Sequence, residues 1–151
     1  MINKYKWPIM LVLAAVAGAS YFYLHFYAKG INALLAFSAS YERFDRAISE
    51  FSLGRTEDLE RRASQALSDL QARSTFRLSS LIKNDGALMD QAREVADLAR
   101  REHENLKAFA SAQRTPSAGL DGLANAFGGL TEKRRSAYAR FRELGGTRDR
   151  T

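Results

Sequence analysis

Hydrophobic residues follow two different rules along this chain. From Trp7 to Ala28 the sequence WPIMLVLAAVAGASYFYLHFYA carries no Asp, Glu, Lys or Arg and has no polar face. Twenty-two such residues are enough to cross a bilayer once as a helix. After Lys29 the apolar positions thin out into stripes. Leu34, Phe37, Tyr41, Phe44, Ile48 and Phe51 recur at alternating spacings of three and four, the stripe of a helix packed lengthwise on others. Gly54 is placed to take a positive φ as a C-terminal cap, and Thr56 to cap the next helix ahead of Glu57 and Asp58.

The pattern repeats three more times. Ala63, Leu67, Leu70, Ser74, Leu78 and Leu81 predict a second helix over residues 57–83, and Lys83, Asn84 and Asp85 suit a helix boundary. A third, over 86–113, carries Leu88, Ala92, Val95, Ala99, Glu102, Leu106 and Phe109, interrupted only by the charge at Glu102. The fourth, over 117–144, carries Leu120, Leu123, Phe127, Leu130, Arg134, Ala137, Phe141 and Leu144. Its first half is weakened by glycines, and the pair Gly128 and Gly129 leaves open a split into two shorter helices.

No segment alternates with period two, so an all-α fold is predicted. Its parts are a short tail over 1–6, an anchor over 7–28, a bundle over 29–145 whose first helix spans 29–53, and a basic flexible tail over 146–151. Segments of about 40 Å joined by short connections favour an antiparallel, up-down-up-down four-helix bundle continuous with the anchor. Two helical hairpins, or a coiled coil completed by a partner chain, are the alternatives.

The apolar run has two competing readings. Lys4 and Lys6 followed by an apolar stretch and Ala17-Gly18-Ala19 resemble a cleavable secretory signal. Cleavage would leave Tyr21, Phe22, Tyr23, Leu24, Phe26 and Tyr27 as an exposed aromatic terminus, which an uncleaved helix avoids. A buried core helix is the other reading, but the run is long for one. In an anchor, Trp7 at one end and Tyr21, Tyr23 and Tyr27 at the other act as interface residues. Ala14, Ala15, Gly18 and Ala19 form two small-xxx-small spacings that allow a second membrane helix to approach closely, by self-association or with another membrane protein. Lys4 and Lys6 against the single Lys29 place the amino terminus in the cytoplasm and the bundle outside it. An excess of arginine over lysine, 17 to 6, hints at a bacterium, whose inner membrane would then hold the anchor and whose periplasm the bundle.

Charge alters this picture at one end only. The net charge is +6, yet residues 28–130 hold 14 basic and 14 acidic side chains, while residues 131–151 hold seven basic and three acidic. Lys133, Arg134, Arg135, Arg140 and Arg142 therefore make a candidate strip for an acidic partner or anionic lipid. Nucleic acid is not expected as a partner of an exported domain. Glu42 and Arg46, Glu57 and Arg61, Asp58 and Arg62, Asp69 and Arg73, and Asp97 and Arg101 are acid-first pairs at the favoured spacing on exposed helix faces.

The candidate chemistry is sparse. His25 lies among aromatics near the outer end of the anchor. His103 stands between Glu102 and Glu104, but consecutive helical residues point about 100° apart and cannot converge on one metal. A di-iron bundle needs Glu three residues before His, and Arg100 is there instead. HExxH, a Gly-rich phosphate loop and a nucleophile elbow are all missing from the sequence. No cofactor, metal or catalytic residue is expected, whereas Glu102 and Arg134, charged residues on apolar seams, can pair across the bundle or mark a partner face. The expected function is that of a non-enzymatic membrane-anchored scaffold or accessory subunit of an envelope complex. One anchor followed by four long helices also resembles the periplasmic half of bacterial four-helix chemoreceptors, which implies a sensor or ligand-binding module. A spanin-like envelope factor from a phage or plasmid is the third architecture of this kind.

Overall fold

The apolar run and the first seam belong to one helix. The structure, a computed structural model, describes residues 6–78, 82, 84–113 and 120–146. In it α1 (Lys6–Gly54) continues through 49 residues, about 74 Å at 1.5 Å per residue. Three helices return along its upper half: α2 (Glu57–Arg73), α3 (Asp85–Ala112) and α4 (Leu120–Phe141), the last closed by a wider π turn (Arg142–Gly146). There is no strand among the described residues. Residues 1–5 of the predicted tail over 1–6, residues 114–119 between α3 and α4, and residues 147–151 lie outside them.

The four seams meet in one core. Leu34, Phe37, Tyr41, Phe44, Ile48 and Phe51 of α1 are all buried, as are Ala63, Leu67 and Leu70 of α2 and Leu88, Ala92, Val95, Ala99 and Leu106 of α3. Ala137, Tyr138 and Phe141 of α4 complete it. Backbones approach most closely within the pairs α1–α2 and α3–α4. α1 and α4 meet through side chains, with the rings of Tyr41 and Tyr138 stacked at 3.6 Å and Phe37 against Phe141 at 4.9 Å.

Contacts at each end fix the direction of the helices. At the far end the Arg55 guanidinium donates to Gln113 Oε1 at 2.6 Å and lies 4.7 Å from the Phe109 ring. At the near end Phe37 meets Phe141, and Gly30 meets Ile82. The arrangement is the up-down-up-down bundle expected from the seams.

Three local expectations are corrected. α2 stops at Arg73 rather than continuing to Lys83. Ser74 Oγ bonds back to Gln71 O at 2.7 Å and Thr75 Oγ1 to Ala72 O at 3.1 Å, so hydroxyls take the carbonyls that a further turn would use. Residues 76–78 are irregular, and Phe76 packs against Phe37 while Leu78 and Ile82 are buried outside any helix. Leu81, the last residue of the expected α2 seam, lies outside the described residues.

The second correction concerns Gly54. The left-handed residue is Arg55, at φ 51°, while Gly54 is the last helical position. Glycine serves close approach there, because a Cβ would overlap Leu59 Cδ1. Arg55 N still bonds to Phe51 O at 2.9 Å, which closes the helix end. Thr56 caps α2 as expected, its hydroxyl accepting from Leu59 N.

The third lies in α4, which ends as regular helix at Phe141 and not Leu144. Arg142 to Gly146 forms the π turn, with Gly145 at φ 99°, a conformation that suits glycine. The helix runs unbroken through Gly128 and Gly129, and Cβ atoms there would meet open space. Its glycine-rich first half is the least buried part of the core, with Leu123, Phe127 and Leu130 only half-buried.

Candidate functional site

The two charged seam residues come together. Arg134 and Glu102 are fully buried, and the Arg134 Nε donates to Glu102 Oε2 while Nη2 reaches Oε1 at 3.3 Å. Arg134 Nη1 donates to the Tyr41 hydroxyl at 2.8 Å and Nη2 to Asp45 Oδ1 at 2.7 Å. Thr131, one turn before Arg134, donates to Glu102 Oε1 at 2.5 Å, and Arg135 Nε lies 3.5 Å from Asp45 Oδ1, the oxygen that also accepts from Arg134. Tyr41 and Asp45 come from α1, Glu102 from α3, and Thr131, Arg134 and Arg135 from α4. One guanidinium thus ties three helices together.

Charge and hydrogen bonding are both balanced in this cluster. Two arginines face two carboxylates, so burial does not strand a net charge. Burial alone would weaken the hold of Arg134 on its proton; the bonds and charge from Glu102, with Tyr41 and Asp45, outweigh it and raise its pKa above the ordinary value. Burial pushes the Tyr41 phenol up to about 12, although Arg134 pulls it the other way. Tyr41 is therefore a neutral hydroxyl that accepts from Arg134. The guanidinium also lies 5.2 Å and 5.3 Å from the rings of Tyr41 and Phe44, an arrangement that adds cation–π attraction.

A cluster of this kind need not add net stability. Replacing a buried ion pair by apolar side chains is often neutral, whereas removing one partner costs about 3–5 kcal/mol because the other charge is left unpaired. Here the arginine donors meet acceptors only if α4 is in register with both α1 and α3. No known protein family, curated protein or solved structure matches the chain.

The predicted surface sites are placed as follows. Lys133, Arg135, Arg140 and Arg142 are exposed on α4 and its π turn, with Arg140 3.8 Å from Glu94. Arg134 does not belong to that strip. Its seam position turns it into the core, where it is wholly inaccessible. Tyr41, Asp45, Arg135, Tyr138, Ala139, Arg142 and Glu143 line an open groove of about 630 Å³ between α1 and α4.

The apolar half of α1 is bare. Every residue over 10–26 is exposed, including Ala14, Ala15, Gly18 and Ala19, and a Cβ on Gly18 would meet nothing within 4 Å. Trp7, Tyr21 and Tyr23 are exposed as well. Tyr27 differs from the other expected interface residues, being half-buried against the bundle core with its ring stacked 6.3 Å from Tyr23. It bridges the two halves of α1. His25 lies 6.1 Å from the Tyr21 ring.

His103 turns inward, away from Glu104. Its Nε2 lies 3.1 Å from Ser64 Oγ and its ring 6.4 Å from Phe51. Burial lowers its pKa, so the ring is held neutral, and it serves as a hydrogen-bonded link between α2 and α3. Among the described residues no group of three His, Asp or Glu side chains is disposed to hold a metal ion.

Sequence reasoning missed Tyr41, Asp45 and Thr131 as members of the cluster. The available signal was spacing. Asp45 lies one turn beyond Tyr41 on α1, and Thr131 lies one turn before Arg134 on α4.

A second polar bridge, also unforeseen, joins α1 to α2. Asp69 accepts from Ser40 Oγ at 2.9 Å, from Arg43 at 3.3 Å and from Arg73 at 3.1 Å. Partial burial opposes its ionisation, but the bonds from Arg73 and Ser40 hold it below the usual carboxylate range. Asp58 with Arg62, Asp69 with Arg73 and Asp97 with Arg101 form the expected surface pairs.

Proposed function

We propose that the protein is a non-enzymatic, single-pass membrane protein of a bacterial envelope, whose helical bundle is held as a rigid scaffold or accessory subunit of a membrane complex. One observation carries the reading. α1 is long and apolar enough to cross a membrane, its apolar half is bare, and the same helix continues without interruption into the bundle core. A rigid mount of this kind fixes the height and angle of whatever surface the bundle presents. Its charge cluster serves alignment, since the donors of Arg134 are engaged within the bundle.

In this reading the amino terminus is cytoplasmic and the bundle periplasmic, following the lysine imbalance across the span. Ala14, Ala15, Gly18 and Ala19 offer the face for a second membrane helix. Crosslinking in the native membrane followed by mass spectrometry tests the assembly role. A reproducible membrane-protein partner, or a self-crosslink, supports it. Recovery of the chain alone with a bound small molecule contradicts it in favour of a sensor. Reporter fusions after residue 40 test the orientation, and activity of a cytoplasmic reporter alone would reverse it.

A further inference from the structure

We infer that the outer face of α1 is the interface between two copies of this chain, paired side by side as parallel rods from the membrane surface to the far end of the bundle. The inference rests on the reading of α1 as a membrane span, and it names the partner and the face that an assembly role leaves open.

Two leucines define the face. Beyond the bare apolar half of α1, Leu35 and Leu53 are the large apolar side chains left exposed among the described residues, 41% and 87% accessible. They lie eighteen residues apart, which is five full helical turns, so both point the same way. Ala28 and Arg46, separated by the same interval, mark the middle of this face. Asn32, Ala39 and Glu42 fall within about 40° of that line, and all of these residues are exposed.

Neighbouring helices leave the face open. α2 meets α1 on the side of Ser40 and Arg43, which bond Asp69, and α4 on the side of Tyr41 and Asp45, which bond Arg134. The face opposite the core looks away from both. Lipid does not reach its leucines either. Leu35 is seven residues beyond Ala28, the last residue of the charge-free run, so it stands about 10 Å further along the axis and Leu53 about 38 Å. Headgroups extend only roughly 5–7 Å past the hydrocarbon core.

The chemistry of the face suits a second copy. Copies inserted the same way are related by a two-fold axis along the membrane normal, so their α1 helices run parallel and each residue faces its own counterpart. Asn32 is then its own complement, because an amide both donates and accepts. A single Asn on a seam is also a device that holds a parallel pair in register. Glu42 and Arg46 stand one turn apart, and neither has an ion-pair partner among the described residues. In the pair, Glu42 of each copy meets Arg46 of the other. The face continues below Ala28 through Leu24 and Tyr21, five turns beneath Glu42 and Ala39. From Tyr21 to Leu53 it is about 48 Å long and, at a helix width of 10–12 Å, covers roughly 1,000 Å² over both copies, the size at which a specific interface becomes stable.

The test uses the full chain in lipid nanodiscs assembled with two copies, with single-copy discs as the unpaired reference. The sequence has no cysteine, so Ala28→Cys, Leu35→Cys and Leu53→Cys each introduce one thiol that oxidation can join to its counterpart. Controls are Ala19→Cys, on the opposite side of α1 from Ala28, and Arg62→Cys on the exposed side of α2. Disulfides are expected at 28, 35 and 53 and not at 19 or 62, where the two thiols are held too far apart. Glu42→Arg or Arg46→Glu alone should slow crosslinking at 35 about fivefold, the scale of one exposed ion pair, and the double exchange should restore it. Equal rates at all five positions, or crosslinking at 19 without 35, would overturn the proposal. Crosslinking at 28 with none at 53 would overturn the parallel rods, and a rate at 35 indifferent to both single exchanges would overturn the charge pairing. A fluorophore on Val16→Cys, read against an acyl-chain spin-labelled lipid, separates the two levels. Quenching there without crosslinking at 28, 35 or 53 removes the pairing and leaves the anchor intact, whereas absence of quenching refutes the membrane reading beneath it.

Discussion

The two halves of α1 have the same backbone and opposite surroundings. Over residues 10–26 every side chain faces outward, and apolar residues occupy all sides of the helix. From Leu34 to Phe51 the large apolar residues fall on one stripe, which is buried, with Leu35 the exposed exception. The upper half is held by other helices, with Phe37, Phe44 and Phe51 wholly enclosed and Tyr41 tied to Arg134. No described residue packs against the lower half over 10–26, and its apolar surface is long enough to cross a membrane. Periodicity alone distinguishes the two environments: a helix apolar all round suits hydrocarbon, and a striped helix suits a water-facing bundle.

Mutations at matched depths should separate the halves. The largest effect is expected for Phe44→Ala, which removes a buried ring and should cost about 3–5 kcal/mol. Amide hydrogen exchange in nanodiscs should show α3 losing protection while residues 10–26 keep theirs. Next comes Val16→Arg, which should penalise insertion by about 2.5–3.5 kcal/mol on translocon scales. A glycosylation-mapping insertion assay would read that loss, and exchange in the bundle of the inserted fraction should be unchanged. Loss of protection in both halves from either substitution would mean that they fold as one unit.

A smaller change probes the polar link between α1 and α4. Tyr41→Phe deletes the hydroxyl that accepts from Arg134 Nη1, leaving a buried donor unsatisfied at a cost of about 1–3 kcal/mol. Faster exchange in α4 than in α2 would confirm that the hydroxyl serves the α1–α4 seam.

The smallest expected effect is a pH dependence confined to the upper half. Burial lowers the pKa of His103 in the folded state below its ordinary 6.5, so the unfolded chain takes up the proton first as pH falls. The stability due to the neutral ring is fully present above about pH 6.5 and is lost as pH drops through that value toward the folded pKa. Bundle stability should therefore decline in mild acid, and His103→Gln should flatten the decline. Asp69 and Asp97, whose pKa values are also lowered, lose their contribution only at more acidic pH, below the ordinary carboxylate value.

Much of this organisation was legible because a single physical rule set it. The six residues of the α1 seam and the third-helix seam through Leu106 are buried as their spacing implied, since a stripe at 3.6 periodicity leaves one direction for the core. Glu102 and Arg134 stood out as charges where leucine was expected, and burial forced them to pair. The end of α2 was hidden for the opposite reason. Leu78 and Leu81 continue the helical spacing, while Ser74 and Thr75, which terminate the helix through their hydroxyls, cost little in any average propensity. Arg55 in the left-handed region was equally hidden. Gly54 beside it is the usual candidate, and only the packing of Leu59 and the contacts of Arg55 with Phe109 and Gln113 reveal the exchange of roles.

The central claim is that a lipid-facing helix and a bundle helix are one uninterrupted rod. A nitroxide scan through residues 12–48 in nanodiscs, made clean by the lack of native cysteine, tests it most directly through accessibility to oxygen and to a water-soluble paramagnetic reagent. The predicted profile is high oxygen access at every position through Phe26, then a 3.6-residue oscillation with minima at Leu34, Phe37, Tyr41, Phe44 and Ile48, in unbroken helical phase across Lys29. A water-accessible break in that phase near Lys29, or exposure of positions 12–26 to the aqueous reagent, would contradict it.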